Sequence, residues 1–223
     1  MKQTKKFFIA GIAMLVVFFA FTVCVLTVDR APVGPLDSSV GFSGINQSVF
    51  KALGESAQFY QITEYLGYAS LAFAAAFAIL GVLQLIKRKS LWKVDRDILL
   101  LGVFYAVVLA CYVAFEVIVI NYRPVIPEGV LEASYPSSHT ILTVCIMVSA
   151  IPSIYRRSGT DPYRKVILPA ICVAVSVVTV VGRLLSGVHW LTDIIGGVLL
   201  SCALVLLYLA ALKWADSKQK KAE

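Results

Sequence analysis

The sequence predicts an all-α fold: a bundle of six transmembrane helices with an additional helix at the membrane surface in the first outer loop. Hydrophobic residues make up 59% of the 223-residue chain and charged residues only 15%, whereas a soluble domain has about a quarter of its residues charged. Six mostly apolar segments are long enough to cross the hydrocarbon layer of a bilayer. No soluble module or internal repeat interrupts them, so residues 1–223 are expected to form a single integral membrane domain.

The predicted spans cover residues 7–28, 66–86, 98–121, 140–155, 166–184 and 191–212. The first span follows a basic leader, MKQTKK, as a secretory signal peptide would. Its apolar run is too long for such a peptide, however, and no small-x-small cleavage site precedes Asp29. We therefore expect it to be retained as a transmembrane helix.

The first outer loop, residues 29–65, begins with turn-forming residues and continues with apolar residues at helical spacing. Ser48 is suited to cap the start of such a helix. The pattern predicts an amphipathic helix lying on the outer leaflet, and its apolar positions are Val49, Phe50, Leu53, Ala57, Phe59 and Tyr60.

Basic residues indicate the orientation of the bundle, because cytoplasmic loops carry an excess of lysine and arginine. With six spans, sixteen of the twenty basic residues fall on one side, in the N-terminus, the second-to-third and fourth-to-fifth connections and the tail. Both termini are therefore expected in the cytoplasm, in a plasma membrane. A basic face resting on anionic lipid explains the net charge of +7 without a nucleic-acid partner.

Five cysteines are spread over the predicted spans. An odd number without a CxxC pair favours neither a disulfide framework nor a metal cluster. We expect these residues to act as small apolar packing groups, and we expect no metal ion and no cofactor.

Titratable residues collect at the outer ends of the last four spans. Arg123 ends the third span and His139 begins the fourth, while Arg183 ends the fifth and His189 precedes the sixth. These are the only two histidines in the chain, and six crossings bring all four residues to the same membrane depth. Ionisable groups at such positions are costly and usually functional.

The types of residue at this depth suit a phosphate. Asp193 lies four residues after His189, so that its carboxylate can orient one ring nitrogen and leave the other as a nucleophile or base. Arg123 and Arg183 offer planar forks for phosphate oxygens. The segment Pro136-Ser137-Ser138-His139 would add hydroxyls and amide N–H groups at a helix N-terminus, where anions are favoured.

These residues resemble the motifs of the type 2 phosphatidic acid phosphatases, a family of six-span membrane lipid phosphatases related to vanadium haloperoxidases. Arg123-Pro124 is similar to the end of the first family motif, and Pro136-Ser137-Ser138-His139 to the second, with Ser138 in the place of glycine. Arg183, His189 and Asp193 have both spacings of the third motif. The resemblance extends over the last four spans.

The resemblance implies a role for each matching residue. His189 would be the nucleophile that forms a phosphohistidine, Asp193 its orienting partner, and His139 the general acid for the leaving oxygen. Phosphoryl oxygens would be bound by side chains that stabilise the charge of the transition state, namely Arg123, Arg183, Ser137 and Ser138.

Two positions depart from the family pattern. Glu116 stands where the family has a lysine, with six residues between it and Arg123, and Gly182 replaces the serine before Arg183. A carboxylate facing the site would repel an anion. Three alternatives remain open: Glu116 turns away to another helix, Lys51 or Arg30 supplies the missing cation, or Glu116 pairs with Arg123.

The function implied by the resemblance is hydrolysis of a lipid phosphate or diphosphate at the outer membrane face. Candidate substrates are undecaprenyl diphosphate, phosphatidylglycerophosphate and phosphatidic acid. The alternative is a non-catalytic relative that binds a phosphorylated lipid as a receptor, scaffold or transport component. A proton-coupled transporter is disfavoured, because the ionisable groups cluster at one face and do not line a path through the midplane.

Overall fold

A computed structural model describes residues 2–126 and 129–222, without the side chains of residues 219–222. In this part of the chain the structure contains only helices, turns and two isolated β-bridges. The α-helices are α1 Lys2–Thr27, α2 Ser43–Leu53, α3 Ala57–Arg88, α4 Arg96–Val117, α5 Ser138–Arg157, α6 Pro162–Leu185 and α7 Leu191–Ala222.

Six of these helices are long and apolar enough to cross a membrane, namely α1 and α3 to α7. The predicted fold class is therefore confirmed. Helix α7 extends to Ala222 instead of residue 212, and α3 begins at Ala57 instead of residue 66. The first turns of α3 contain polar residues, so its apolar run begins later than the helix itself. These residues are Gln58, Gln61, Thr63 and Glu64.

The predicted surface helix is present but has different ends. Helix α2 begins at Ser43, so Ser48 lies inside it and donates a hydrogen bond to the carbonyl of Gly44 (2.7 Å) instead of capping it. Helix α2 ends before Gly54, whose positive φ of 68° is unfavourable for other residues. Ser56 then caps α3 by accepting a hydrogen bond from the backbone N–H of Phe59. The positions predicted as one helix thus belong to two.

Helices α5 and α7 occupy the interior of the bundle. In the 18-residue apolar stretch of each of these two helices, 56% of the residues are buried, compared with 6% in that of α3. Antiparallel packing of α1 on α7 is close at Gly11, where an added Cβ would lie 2.8 Å from Leu207. The lipid-facing surface is therefore formed mainly by the outer helices, and polar groups on α5 and α7 are shielded from lipid.

One end of the bundle is held by buried and half-buried ion pairs. Asp97 of α4 is 4% exposed and accepts hydrogen bonds from Arg157 (2.6 Å) and Ser153 (2.7 Å) of α5. Asp95 binds both Arg88 and Arg157, and the hydrogen bond from Arg88, with smaller effects of Gln84 and Arg157, lowers the pKa of its carboxyl. The residues with the family motifs lie at the opposite end.

Candidate active site

The motif residues converge because five chain segments end at the same level. His139 is the second residue of α5 and Arg183 lies in the last turn of α6. Arg123 is in the connection from α4 to α5, His189 in the connection from α6 to α7, and Asp193 in the first turn of α7. The expectation that they lie at one end of the bundle agrees with this arrangement.

His189 is enclosed beside Asp193. Its side chain is 1% exposed, and its Nδ1 atom lies 3.7 Å from Oδ2 of Asp193. This distance is too long for the orienting hydrogen bond expected from the sequence. Neither ring nitrogen makes a hydrogen bond of ordinary geometry among the described residues, although the backbone of Ser134 lies close enough to act on the ring.

The imidazole of His189 is held in its neutral form. Burial lowers its pKa well below the ordinary value of 6.5, and the positive charges of Arg183 and Arg123 lower it further, with a smaller effect of His139. A neutral ring keeps the lone pair that a nucleophile needs. These influences also place the two histidines and both arginines within electrostatic range of one another.

Asp193 is fixed by the helix that it begins. Its Oδ2 atom accepts a hydrogen bond from the backbone N–H of Trp190 (2.9 Å), as the acidic residue of a capping box does. Its Oδ1 atom accepts the side-chain amide of Asn121 (3.4 Å), and Asn121 is completely buried. The carboxylate next to His189 is thus positioned by a helix cap and by a buried amide.

Arg183 and His139 share a carboxylate that sequence analysis missed. Oε1 of Glu64, on α3, lies 3.0 Å from Nη1 of Arg183 and 3.2 Å from Nε2 of His139. Nη2 of Arg183 donates to Nδ1 of His139 (2.9 Å). Two other residues of α3 also contact Arg183. The ring face of Tyr60 lies against its guanidinium group, and the hydroxyl of Thr63 accepts a hydrogen bond from it.

Arg123 also binds a glutamate. Its Nη2 atom lies 3.0 Å from Oε2 of Glu132, and the backbones of the two residues are hydrogen-bonded. The suggested pair of Arg123 with Glu116 is therefore wrong, because Glu132 takes that place. Glu116 does not turn away either, since it is exposed and lines the same cavity as Arg123.

Neither cation suggested as a replacement for the family lysine reaches the site. Arg30 donates to Ser39 and to the carbonyl of Ile120, and Lys51 is exposed on α2, outside the residues that line the cavity. Gly182 has a packing role, because an added Cβ would lie 2.6 Å from Cγ2 of Thr63. The glycine lets α3 approach α6 closely.

The two serines of the second motif are in different positions. Ser137 is completely buried, its N–H donates to the carbonyl of Asp193 (3.0 Å), and its hydroxyl accepts the N–H of Thr140 as a helix cap. The N–H of Ser137 is therefore not among the amide groups that this segment can offer to an anion. Ser138 lines the cavity. Gly197 of α7 lets the segment around Ser137 pack closely against this helix, since an added Cβ would lie 3.2 Å from the carbonyl oxygen of Ser137.

A cavity of about 620 Å³ opens next to these groups, between α3, α4 and α5. Arg123, His139 and Ser138 line it together with three glutamates and three tyrosines, namely Glu64, Glu116, Glu132, Tyr68, Tyr112 and Tyr122. Arg183 and His189 are not part of its wall. Glu64 and His139 therefore separate the cavity from Arg183.

The cavity is large enough for a polar headgroup. Tyr68 and Leu71 of α3, which line it, are 61% and 49% exposed, so the cavity reaches the outer surface of α3. No group of three or more metal-ligating side chains is found among the described residues.

The roles of Glu64, Glu132 and Asn121 were not predicted from the sequence. Glu64 lies in the segment that was assigned to the outer loop, and a span beginning at residue 57 would have marked it as a carboxylate within a membrane helix. Glu132 and Asn121 lie in or beside an irregular connection, where spacing carries no information about contacts.

Comparisons with known proteins agree with this arrangement. The sequence model of the PAP2 superfamily matches residues 117–217. A solved structure from Bacillus subtilis, described as the first transmembrane PAP2 type phosphatidylglycerolphosphate phosphatase, has the same fold, with a TM-score of 0.64 and 18% identity over 94% of this chain and 96% of that one. No curated protein sequence is similar enough to count as a match. The resemblance indicated by the three motifs is thus confirmed: residues 117–217, which contain the matching residues of all three motifs, match the PAP2 superfamily model.

Proposed function

We propose that this protein is a membrane lipid phosphatase that acts through a phosphohistidine at His189. The observation that carries the proposal is the enclosed imidazole of His189 beside Asp193, close to two guanidinium groups and a second histidine. A nucleophile next to fixed cations is the arrangement that phosphoryl transfer requires. The PAP2 superfamily match supports the same reaction class.

In the first step, Nε2 of His189 attacks phosphorus, and the bond from phosphorus to the lipid oxygen, or to the bridging oxygen of a diphosphate, breaks. His139 gives a proton to the leaving oxygen. Arg123, Arg183, Ser137 and Ser138 are the proposed ligands of the phosphoryl oxygens. In the second step, water attacks the phosphohistidine, with His139 accepting its proton, and inorganic phosphate leaves.

The shape of the cavity favours a lipid over a soluble phosphate ester. Its polar residues lie at the motif end of the bundle, and two of its lining residues, Tyr68 and Leu71, are exposed on the outer surface of α3. Undecaprenyl diphosphate, phosphatidylglycerophosphate and phosphatidic acid all combine a terminal phosphate with long apolar chains. The similarity to a structure described as a phosphatidylglycerolphosphate phosphatase makes the second of these the first substrate to test.

We further propose that the site faces the outside of the plasma membrane and that both termini are cytoplasmic. The charge distribution supports this orientation, because the helix ends opposite to the site carry Arg88, Arg156, Arg157 and Arg164.

A second candidate function is binding of a phosphorylated lipid without hydrolysis. The observation in its favour is that both arginines are bound to glutamates and that His189 does not line the cavity. A binding protein of this kind would retain lipid phosphates but would release no inorganic phosphate.

The deciding experiment measures phosphate release by the purified protein from these three lipids, for the wild type and for His189→Ala. We expect release by the wild type and a loss of at least about a thousandfold in the variant, as for removal of a catalytic nucleophile. Binding without release by the wild type would favour the second candidate. In right-side-out vesicles, release from a membrane-impermeant short-chain substrate added outside tests the orientation.

A further inference from the structure

Glu64 occupies a position where a phosphoryl oxygen is expected to lie. A single oxygen, Oε1, contacts Nη1 of Arg183 at 3.0 Å and Nε2 of His139 at 3.2 Å. These are ordinary lengths for hydrogen bonds from cationic or polar nitrogen to an anionic oxygen. Glu64 also lines the cavity, whereas Arg183 is completely buried behind it.

The packing of α3 directs this carboxylate into the site. Tyr60, Thr63, Glu64 and Gly67 follow helical spacing and share one face of α3. An added Cβ at Gly67 would lie 3.0 Å from Cδ2 of His139, and one at Gly182 would lie 2.6 Å from Thr63. Glycine on each side of the contact therefore allows α3 to place Glu64 between Arg183 and His139.

The same contacts fix the proton of His139. A guanidinium group only donates hydrogen bonds, so Nδ1 of His139 accepts from Nη2 of Arg183 and the ring proton lies on Nε2, facing Glu64. In this arrangement Nδ1 has no place for a second proton. His139 can become a proton donor to a leaving group only after Arg183 has moved away from Nδ1.

We propose that Glu64 is a positioning residue that holds Arg183 and His139 in place of the substrate, and that the phosphate displaces it on binding. This inference rests on the proposed function for its catalytic meaning, but displacement by phosphate is a binding event that can be measured without turnover. The phosphate takes over Nη1 of Arg183, the contact between Arg183 and His139 is released, and Nδ1 of His139 becomes available for a proton.

The displacement has a measurable cost, because a phosphate must replace an anion that is already bound. Glu64→Gln removes the negative charge and keeps an oxygen that accepts from Arg183 and His139. We expect inorganic phosphate to bind this variant about tenfold more tightly, roughly the contribution of one hydrogen bond between charged groups. With a lipid substrate, KM should fall by a similar factor while kcat changes by less than about threefold.

The experiment is titration of purified protein in detergent with inorganic phosphate, followed by calorimetry. Glu55→Gln is the matched control, since Glu55 is exposed at the start of the segment leading to α3 and does not line the cavity. Phosphate affinity of the control should equal that of the wild type. Glu64→Ala, which also removes the accepting oxygen, should bind phosphate at least as tightly as Glu64→Gln.

Equal or weaker phosphate binding by a folded Glu64→Gln protein would overturn the proposal and leave Glu64 as a structural partner of Arg183. A fall in kcat with unchanged phosphate affinity would overturn it in the same way. Failure of the proposed function has a different signature: the wild type would release no phosphate from any lipid, while the difference in phosphate affinity between the wild type and Glu64→Gln would persist.

Discussion

At the scale of single residues, three glutamates add negative charge to the candidate site. Glu64 and Glu132 each bind one of the two arginines, and Glu116 faces the same cavity without such a partner among the described residues. Carboxylates next to an anion-binding group weaken binding of a phosphate, more strongly where water is scarce. Glu116 is the carboxylate whose removal disturbs the fewest contacts.

Glu116→Lys should strengthen binding of the substrate. The substitution removes a negative charge from the cavity wall and adds a cation at the position where the family has one. We expect KM for a lipid phosphate to fall by about threefold to tenfold, a modest effect because the side chain is exposed and screened by salt. Steady-state phosphate release measured against substrate concentration provides the value.

Glu116→Gln is the intermediate control and should give a smaller change in the same direction. An unchanged KM in both variants would mean that the substrate does not approach Glu116. In that case the bound phosphate would lie deeper, towards Arg183, and the cavity wall formed by α4 would contact only the lipid chain.

Residue identity at the motifs was predictable from sequence, but the contacts of these residues were not. Spacing places Asp193 one turn after His189, whereas the distance of 3.7 Å between their side chains depends on the bonds from Trp190 and Asn121 that hold the carboxylate. The partners of Arg123 and Arg183 likewise come from distant segments, and one sequence without contacts carries no signal for them.

At the scale of secondary structure, helix α3 supplies residues around Arg183 that the sequence motifs do not include. It begins well before its apolar segment, and its first turns contribute Tyr60, Thr63 and Glu64 to the surroundings of Arg183. Hydropathy identifies the part of a helix that lies in lipid and gives no sign of polar turns that are buried against protein. For this reason the sequence predicted the existence of the helix correctly and its start wrongly.

Gly182→Ala should push α3 away from α6. The added methyl group would lie 2.6 Å from Cγ2 of Thr63, and Thr63 is β-branched, completely buried and hydrogen-bonded to the backbone of its own helix, so it has little freedom to move. We expect a loss of about 1–3 kcal/mol in stability, the usual cost of overpacking. Thermal unfolding in detergent measures it.

Gly102→Ala in α4 is the matched control, because an added Cβ there meets no atom within 4 Å and alanine favours a helix over glycine. Its melting temperature should be equal to or higher than that of the wild type. Thr63→Ala combined with Gly182→Ala should restore part of the stability. If Gly182→Ala melts like the control, close packing of α3 on α6 is not a constraint at this position.

The whole molecule brings the site together by antiparallel crossing. Six apolar helices place the end of α6, the start of α5 and the start of α7 at one end of the bundle, and the ion pairs of Asp97 and Arg157 tie α4 to α5 at the other. This convergence followed from counting spans, because each crossing reverses the chain. It required no knowledge of side-chain packing, which explains why the prediction of the architecture succeeded.

The central claim is that His189 becomes covalently phosphorylated during turnover. The direct measurement is mass spectrometry of protein quenched at alkaline pH during hydrolysis of a lipid phosphate and cleaved after arginine and lysine. Cleavage after Arg183 and Lys213 separates His189 from His139, so the two histidines are distinguished by fragment. We predict one added phosphoryl group on the fragment with His189 and none in His189→Ala. Turnover without modification of that fragment, or with the phosphoryl group on the fragment that contains His139, would contradict the account.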